Sequence, residues 1–143
     1  MMKRPEIVID TNVLVAGLRS RRGASFMLLS LVGSGRFEIN LSVPLVLEYE
    51  EVLLRTESGI LLPRPAIEDI LDYHCSVAGH HEIFFLWRPH LKDLRDDMVL
   101  ELAVKAGCQF IITFNLRDFA GCERFRIRPL PPAEFLRHIG VIV

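Results

Sequence analysis

The sequence predicts an α/β fold on a mainly parallel sheet, and three observations carry that prediction. Short apolar runs rich in isoleucine and valine recur along the chain, beginning with Ile7-Val8-Ile9. Stretches of helical length separate them, which is the pattern of a parallel sheet covered on both faces. The first run closes on Asp10-Thr11-Asn12, so a carboxylate arrives at the strand's C-terminal tip, where open α/β sheets keep their ligand crevices.

The elements follow in order. Ile7 to Asp10 is the first strand. A helix covers Ser25 to Val32 and stops at Gly33-Ser34-Gly35, and Phe37 to Leu41 is the second strand. Ser42 caps the next helix, whose first turn holds Pro44; proline is tolerated there because first-turn N–H groups have no intrahelical partner. That helix runs to about Arg55. Pro63-Arg64-Pro65 breaks the chain, and Ala66 to Val77 forms a helix with Ile67, Ile70, Leu71 and Val77 as its apolar stripe. Ile83 to Trp87 reads as a short strand. Met98 to Ala106 is helical and ends at Gly107, a residue suited to a left-handed cap. Phe110 to Thr113 is the next strand, Phe125 to Leu130 a last strand or extended edge, and Pro131-Pro132 opens a terminal helix through His138.

A chain of 143 residues suits a single domain over residues 1–143. Charged residues interrupt every apolar stretch well short of the ~18–20 residues that cross a bilayer, and Met1-Met2-Lys3-Arg4-Pro5-Glu6 lacks the apolar run of a signal peptide. No membrane association and a cytoplasmic location are expected. Cys75, Cys108 and Cys122 are odd in number and in no CxxC pair, against both a disulfide framework and a zinc site. The five histidines lack ligand spacing, and Trp87 and the phenylalanines stand singly in apolar runs, as core residues do.

The net charge of −1 rules out a broadly basic nucleic-acid surface. Arginine nevertheless outnumbers lysine and clusters at Arg19-Ser20-Arg21-Arg22, at Arg117, and at Arg124, Arg126 and Arg128. Guanidinium groups grip phosphate with a two-pronged geometry, so Arg19, Arg21, Arg22 and Arg117 are candidates to line a polynucleotide path. The plainer alternative is a solvated surface.

The acidic residues carry the chemistry. Asp10 either joins a metal site or caps the turn that follows it, with Thr11 and Asn12 supplying short hydrogen-bonding groups. Asp93-Leu94-Arg95-Asp96-Asp97 sits at a helix start, where Asp93 suits the N-cap and Asp96 the third helical position, both favoured by the helix dipole. Asp96 and Asp97 point about 100° apart, so one faces a metal and the other solvent, and spacing does not choose between them. On the helix after Ser42, Glu48, Glu51 and Arg55 share a polar face. Glu51 and Arg55 make an ordinary i,i+4 pair, whereas Glu48 lies nearest the apolar stripe and is the better candidate to reach the sheet edge. Thr113-Phe114-Asn115-Leu116-Arg117-Asp118-Phe119 follows another strand; Thr113 is placed to orient a water, and Asn115 or Asp118 to complete a metal's surroundings.

Four segments in this order resemble the PIN-domain metal-dependent nucleases: Val8 to Leu14, Leu47 to Leu53, Asp93 to Ala103, and Ile112 to Phe119. The resemblance covers nearly the whole chain and is greatest to bacterial PIN toxins of toxin–antitoxin pairs, relatives of the VapC-like ribonucleases. It implies a three-layer α/β/α fold with a mainly parallel five-stranded sheet ordered 3-2-1-4-5. It also implies roles: Asp10, Glu48 and Asp96 match the three acidic metal-site positions, with Asp96 favoured over Asp97, and Thr113 matches the hydroxyl residue that helps place the water. The fourth acidic position of many PIN domains falls on Asn115, a departure for which the nearby Asp118 is a candidate substitute. The implied cofactor is Mg²⁺ or Mn²⁺, the substrate RNA, and the partners an antitoxin and a second copy in a homodimer. The competing expectation is a PIN-fold module that binds RNA or a protein without cutting.

Overall fold

The computed structural model describes residues 3–83, 91 and 93–143. The first strand, β1 (Glu6–Ile9), lies at the centre of the sheet, and its Ile7 and Val8 are fully buried. Five parallel strands are ordered β3-β2-β1-β4-β5, with β2 at Glu38–Leu41, β3 at Gly79–His80, β4 at Phe110–Ile112 and β5 at Arg128–Leu130. Ile7 pairs with Ile39 on one side and Phe110 on the other. The helices α1 (Thr11–Arg19), α2 (Ala24–Ser30), α3 (Val43–Leu53), α4 (Arg64–Val77), α5 (Leu94–Ala106) and α6 (Pro132–His138) flank the sheet. The α/β class is the one the sequence pattern predicts, and the strand order is the one the family resemblance implies.

Packing explains the arrangement. One helix, α5, lies against β1, β2 and β4, and its Val99, Leu100, Leu102 and Ala103 are buried as an apolar face. The C-terminal helix docks through Phe135, whose ring meets the edges of Phe37 and Phe110 at 5.5 Å each, a favoured aromatic geometry. The first two helices pack closely because Gly17 has no side chain: a Cβ there would stand 2.5 Å from Leu29 Cδ1.

Three expectations need correction. Residues 11–19 form a helix where the sequence reading assigned none; Asp10 caps it, and Val13, Leu14 and Gly17 give it one buried face. Of the strand expected at Ile83 to Trp87, Ile83 lies outside any strand and 84–87 fall outside the described residues. The sequence reading also missed β3 at Gly79–His80, which pairs with Asn40 and Leu41. This edge strand is chosen by specific contacts and not by apolar content: His81 N donates to Leu41 O at 3.0 Å, the His81 ring bonds Asn40 Oδ1 at 2.9 Å, and Gly79 leaves room for that amide. The last strand is shorter than Phe125 to Leu130, because Cys122–Phe125 winds into a 3-10 turn that ends with Arg126 in the left-handed region at φ 63°.

Candidate active site

The central strand hands its carboxylate to the sheet edge. Asp10 is only 7% exposed; its Oδ1 accepts from Thr11 N at 2.9 Å and its Oδ2 from Thr113 Oγ1 at 2.7 Å. Thr113 follows β4, the neighbour of β1, and is fully buried. Its hydroxyl also accepts from Asn115 N at 3.0 Å, so one side chain ties the turn after β4 to the tip of β1.

The second acid comes from α3. Ser42 caps that helix by accepting from Leu45 N at 3.3 Å, and Pro44 occupies its first turn. Tyr49, buried further along the helix, donates its hydroxyl to Ile9 O, and Thr11 Oγ1 donates to Glu48 Oε2. Burial, reinforced by Asp10 and Glu48, holds the Tyr49 hydroxyl pKa well above its ordinary value, so it remains a donor. Two hydrogen bonds thus moor the face bearing Glu48 beside Asp10.

The third group comes from α5. Asp93 is its N-cap, accepting from Arg95 N at 2.8 Å. Asp96 faces the same cavity as Asp10, whereas Asp97 accepts from Leu91 N at 2.9 Å and is not in the cavity wall. Of the two aspartates that spacing left equivalent, Asp96 is the one in the cavity wall.

These residues enclose a cavity of about 530 Å³. Asp10, Glu48, Asp93, Asp96 and Asp118 supply its acids, Asn12 and Asn115 its amides, and Arg19, Arg55 and Arg95 its cations. Asn12 Oδ1 accepts from Phe114 N at 3.5 Å, and Arg19 Nε donates to Ser58 O at 2.9 Å. Arg21, Arg22 and Arg117 are exposed and stand outside the wall. Arg55 and Arg95 were overlooked as site residues. Arg55 stands at helical spacing from Glu48 in the sequence, which is a readable signal although α3 ends at Leu53, but its i,i+4 pairing with Glu51 had accounted for it. Arg95 was hidden between Asp93 and Asp96.

Crowded carboxylates repel. The Asp96 carboxyl is pushed up to about 7, first by burial and then by Asp10, Asp93, Asp118 and Glu48. Asp10 is raised too, chiefly by burial and to a lesser extent by Glu48 and Asp118, against the lowering effect of its bonds from Thr113 and Thr11. Among the described residues, no three Asp, Glu, His or Cys side chains stand close enough together to hold an ion as they are placed. The donor set still fits a hard divalent cation, which takes carboxylate oxygens and keeps waters for its remaining positions, and whose charge would offset the repulsion at Asp96.

Among the described residues no helix is long and apolar enough to cross a membrane. No curated protein matches the chain. The family model described as PIN domain matches residues 6–117, from the start of β1 to one residue short of Asp118. PIN domains are generally nucleases and usually employ divalent metals, and with that match over most of its length this chain belongs to the PIN-domain family.

Proposed function

We propose that the protein is a Mg²⁺- or Mn²⁺-dependent endoribonuclease, acting in the cytoplasm as the toxin of a toxin–antitoxin pair. The observation that carries the nuclease reading is the convergence of Asp10, Glu48, Asp96 and Asp118, from four separate stretches of chain, on one cavity at the C-terminal edge of the sheet. These four acids are the proposed metal ligands. A bound cation supplies Lewis acidity toward a phosphate oxygen and lowers the pKa of water. The chain's own residues do the rest. Thr113, buried behind the cavity wall, fixes Asp10 through its hydroxyl, and the same hydroxyl holds the backbone of Asn115, which stands in that wall. Arg19, Arg55 and Arg95 surround the acids at the cavity wall, where guanidinium groups orient the phosphodiester.

Folded Asp10→Asn and Asp96→Asn proteins are the test. Their cleavage of RNA with Mg²⁺ or Mn²⁺ should fall to the level of the parent in EDTA; parent-like rates would end the assignment. The toxin role and the antitoxin partner rest on the resemblance of the four segments. They predict a small DNA-binding protein in the adjoining reading frame that suppresses the activity. The homodimer is checked by sedimentation. A second reading, a PIN fold that binds RNA without cutting it, draws on Asn115 in place of an acid and on the spacing of the carboxylates. Calorimetric metal binding without cleavage would favour it.

A further inference from the structure

Beside the acidic cavity runs a second one of about 470 Å³, along the seam where α3 meets α5. Glu48, Arg55 and Arg95 stand in the walls of both, so the two spaces adjoin. Pro44, Leu47 and Met98 are the apolar part of the second one's wall, and Glu51 stands there paired with Arg55. Leu47 is 60% exposed, on the face of α3 opposite the buried Leu45 and Tyr49.

We propose that this seam is a nucleobase subsite, taking the base of a nucleotide next to the phosphodiester held in the acidic cavity. The proposal rests on the ribonuclease reading. Its chemistry is that of single-stranded RNA recognition: an unstacked base lies on apolar surface and against the plane of an arginine guanidinium, while the adjoining phosphate meets positive charge. Arg95 and Arg55, at the junction of the two spaces, are positioned to serve both halves of one nucleotide. The volume falls within the range of ligand pockets, roughly 300–1,000 Å³.

The test uses short oligoribonucleotides bearing 2-aminopurine at successive positions, titrated in EDTA into the parent protein and Leu47→Ala. The expected result is a fluorescence change at one position. Leu47→Ala should weaken binding about tenfold and abolish that change, and an oligonucleotide abasic at that position should bind the parent about tenfold more weakly and no longer distinguish it from Leu47→Ala. Equal weakening of intact and abasic RNA by Leu47→Ala, or no weakening, overturns the proposal. So does sedimentation showing that Leu47 holds two copies together while RNA binding is unchanged. Cleavage with Mn²⁺ separates the two ideas. RNA held through its base but left uncut sinks the ribonuclease reading alone, RNA cut without the Leu47 and abasic effects sinks the subsite alone, and RNA neither bound nor cut sinks both.

Discussion

Replacing Asp96 by asparagine should make the metal-free protein more stable, although the side chain belongs to the proposed reaction centre. The Asp96 carboxyl moves from 3.8 to about 7 on folding, driven by burial and four neighbouring acids. Each unit is worth about 1.36 kcal/mol, which puts the unscreened cost of the ionised group near 4 kcal/mol. Asp96 is only partly buried, and solvent screening cuts this to about 1–2 kcal/mol. Because the folded protein holds the proton more tightly than the unfolded chain, the parent loses stability as pH climbs from about 4 to about 7, and the full cost stands above that. The substituted amide cannot ionise and escapes it. Thermal unfolding in EDTA, followed by circular dichroism, should show Tm of Asp96→Asn about 3–8 °C above the parent at pH 8 and less than half that gain at pH 5. An unchanged Tm at pH 8, or the same gain at both pH values, would refute the account of crowded carboxylates.

Saturating Mn²⁺ should reverse the ranking. At about 100 times its Kd the ion stabilises the parent by roughly 2.7 kcal/mol, and Asp96→Asn should show little of that rise in a thermal scan. Thr113→Val leaves Asp10 Oδ2 without its donor and should reduce metal affinity or kcat by about 10–100-fold, read by calorimetry and RNA cleavage, with the fold intact. Tyr49→Phe strips the buried Ile9 carbonyl of its partner and should cost about 1–3 kcal/mol in urea unfolding; a smaller loss would mean that this mooring matters little to stability.

Much of this molecule is readable in the chain. Ile7-Val8-Ile9 had to be a buried strand, and an aspartate after it had to surface at the sheet edge, because the alternation of strands and helices leaves β1 no other environment. Elements fixed by individual contacts were harder to see. Residues 11–19 are given no element by the sequence reading, because Asp10-Thr11-Asn12 carries turn chemistry; the same aspartate caps a helix, and capping and turning use one hydrogen bond to Thr11 N. The edge strand Gly79–His80 has no apolar pattern, since two residues bonded to Asn40 and Leu41 need none. In the site, helical spacing found Glu48 on the right face and stopped at the pair Asp96 and Asp97. The Leu91 N–H that engages Asp97 lies across the entry to α5, where no periodicity reaches.

The bond between Asp10 and Thr113 joins residues 103 positions apart, at the tips of adjacent parallel strands. A nascent chain therefore displays its first acid long before the ribosome has made the threonine that aligns it, and Asp96 arrives late as well. Under the nuclease proposal, connectivity itself withholds hazardous chemistry during synthesis: no truncated product ending before β4 can assemble the reaction centre.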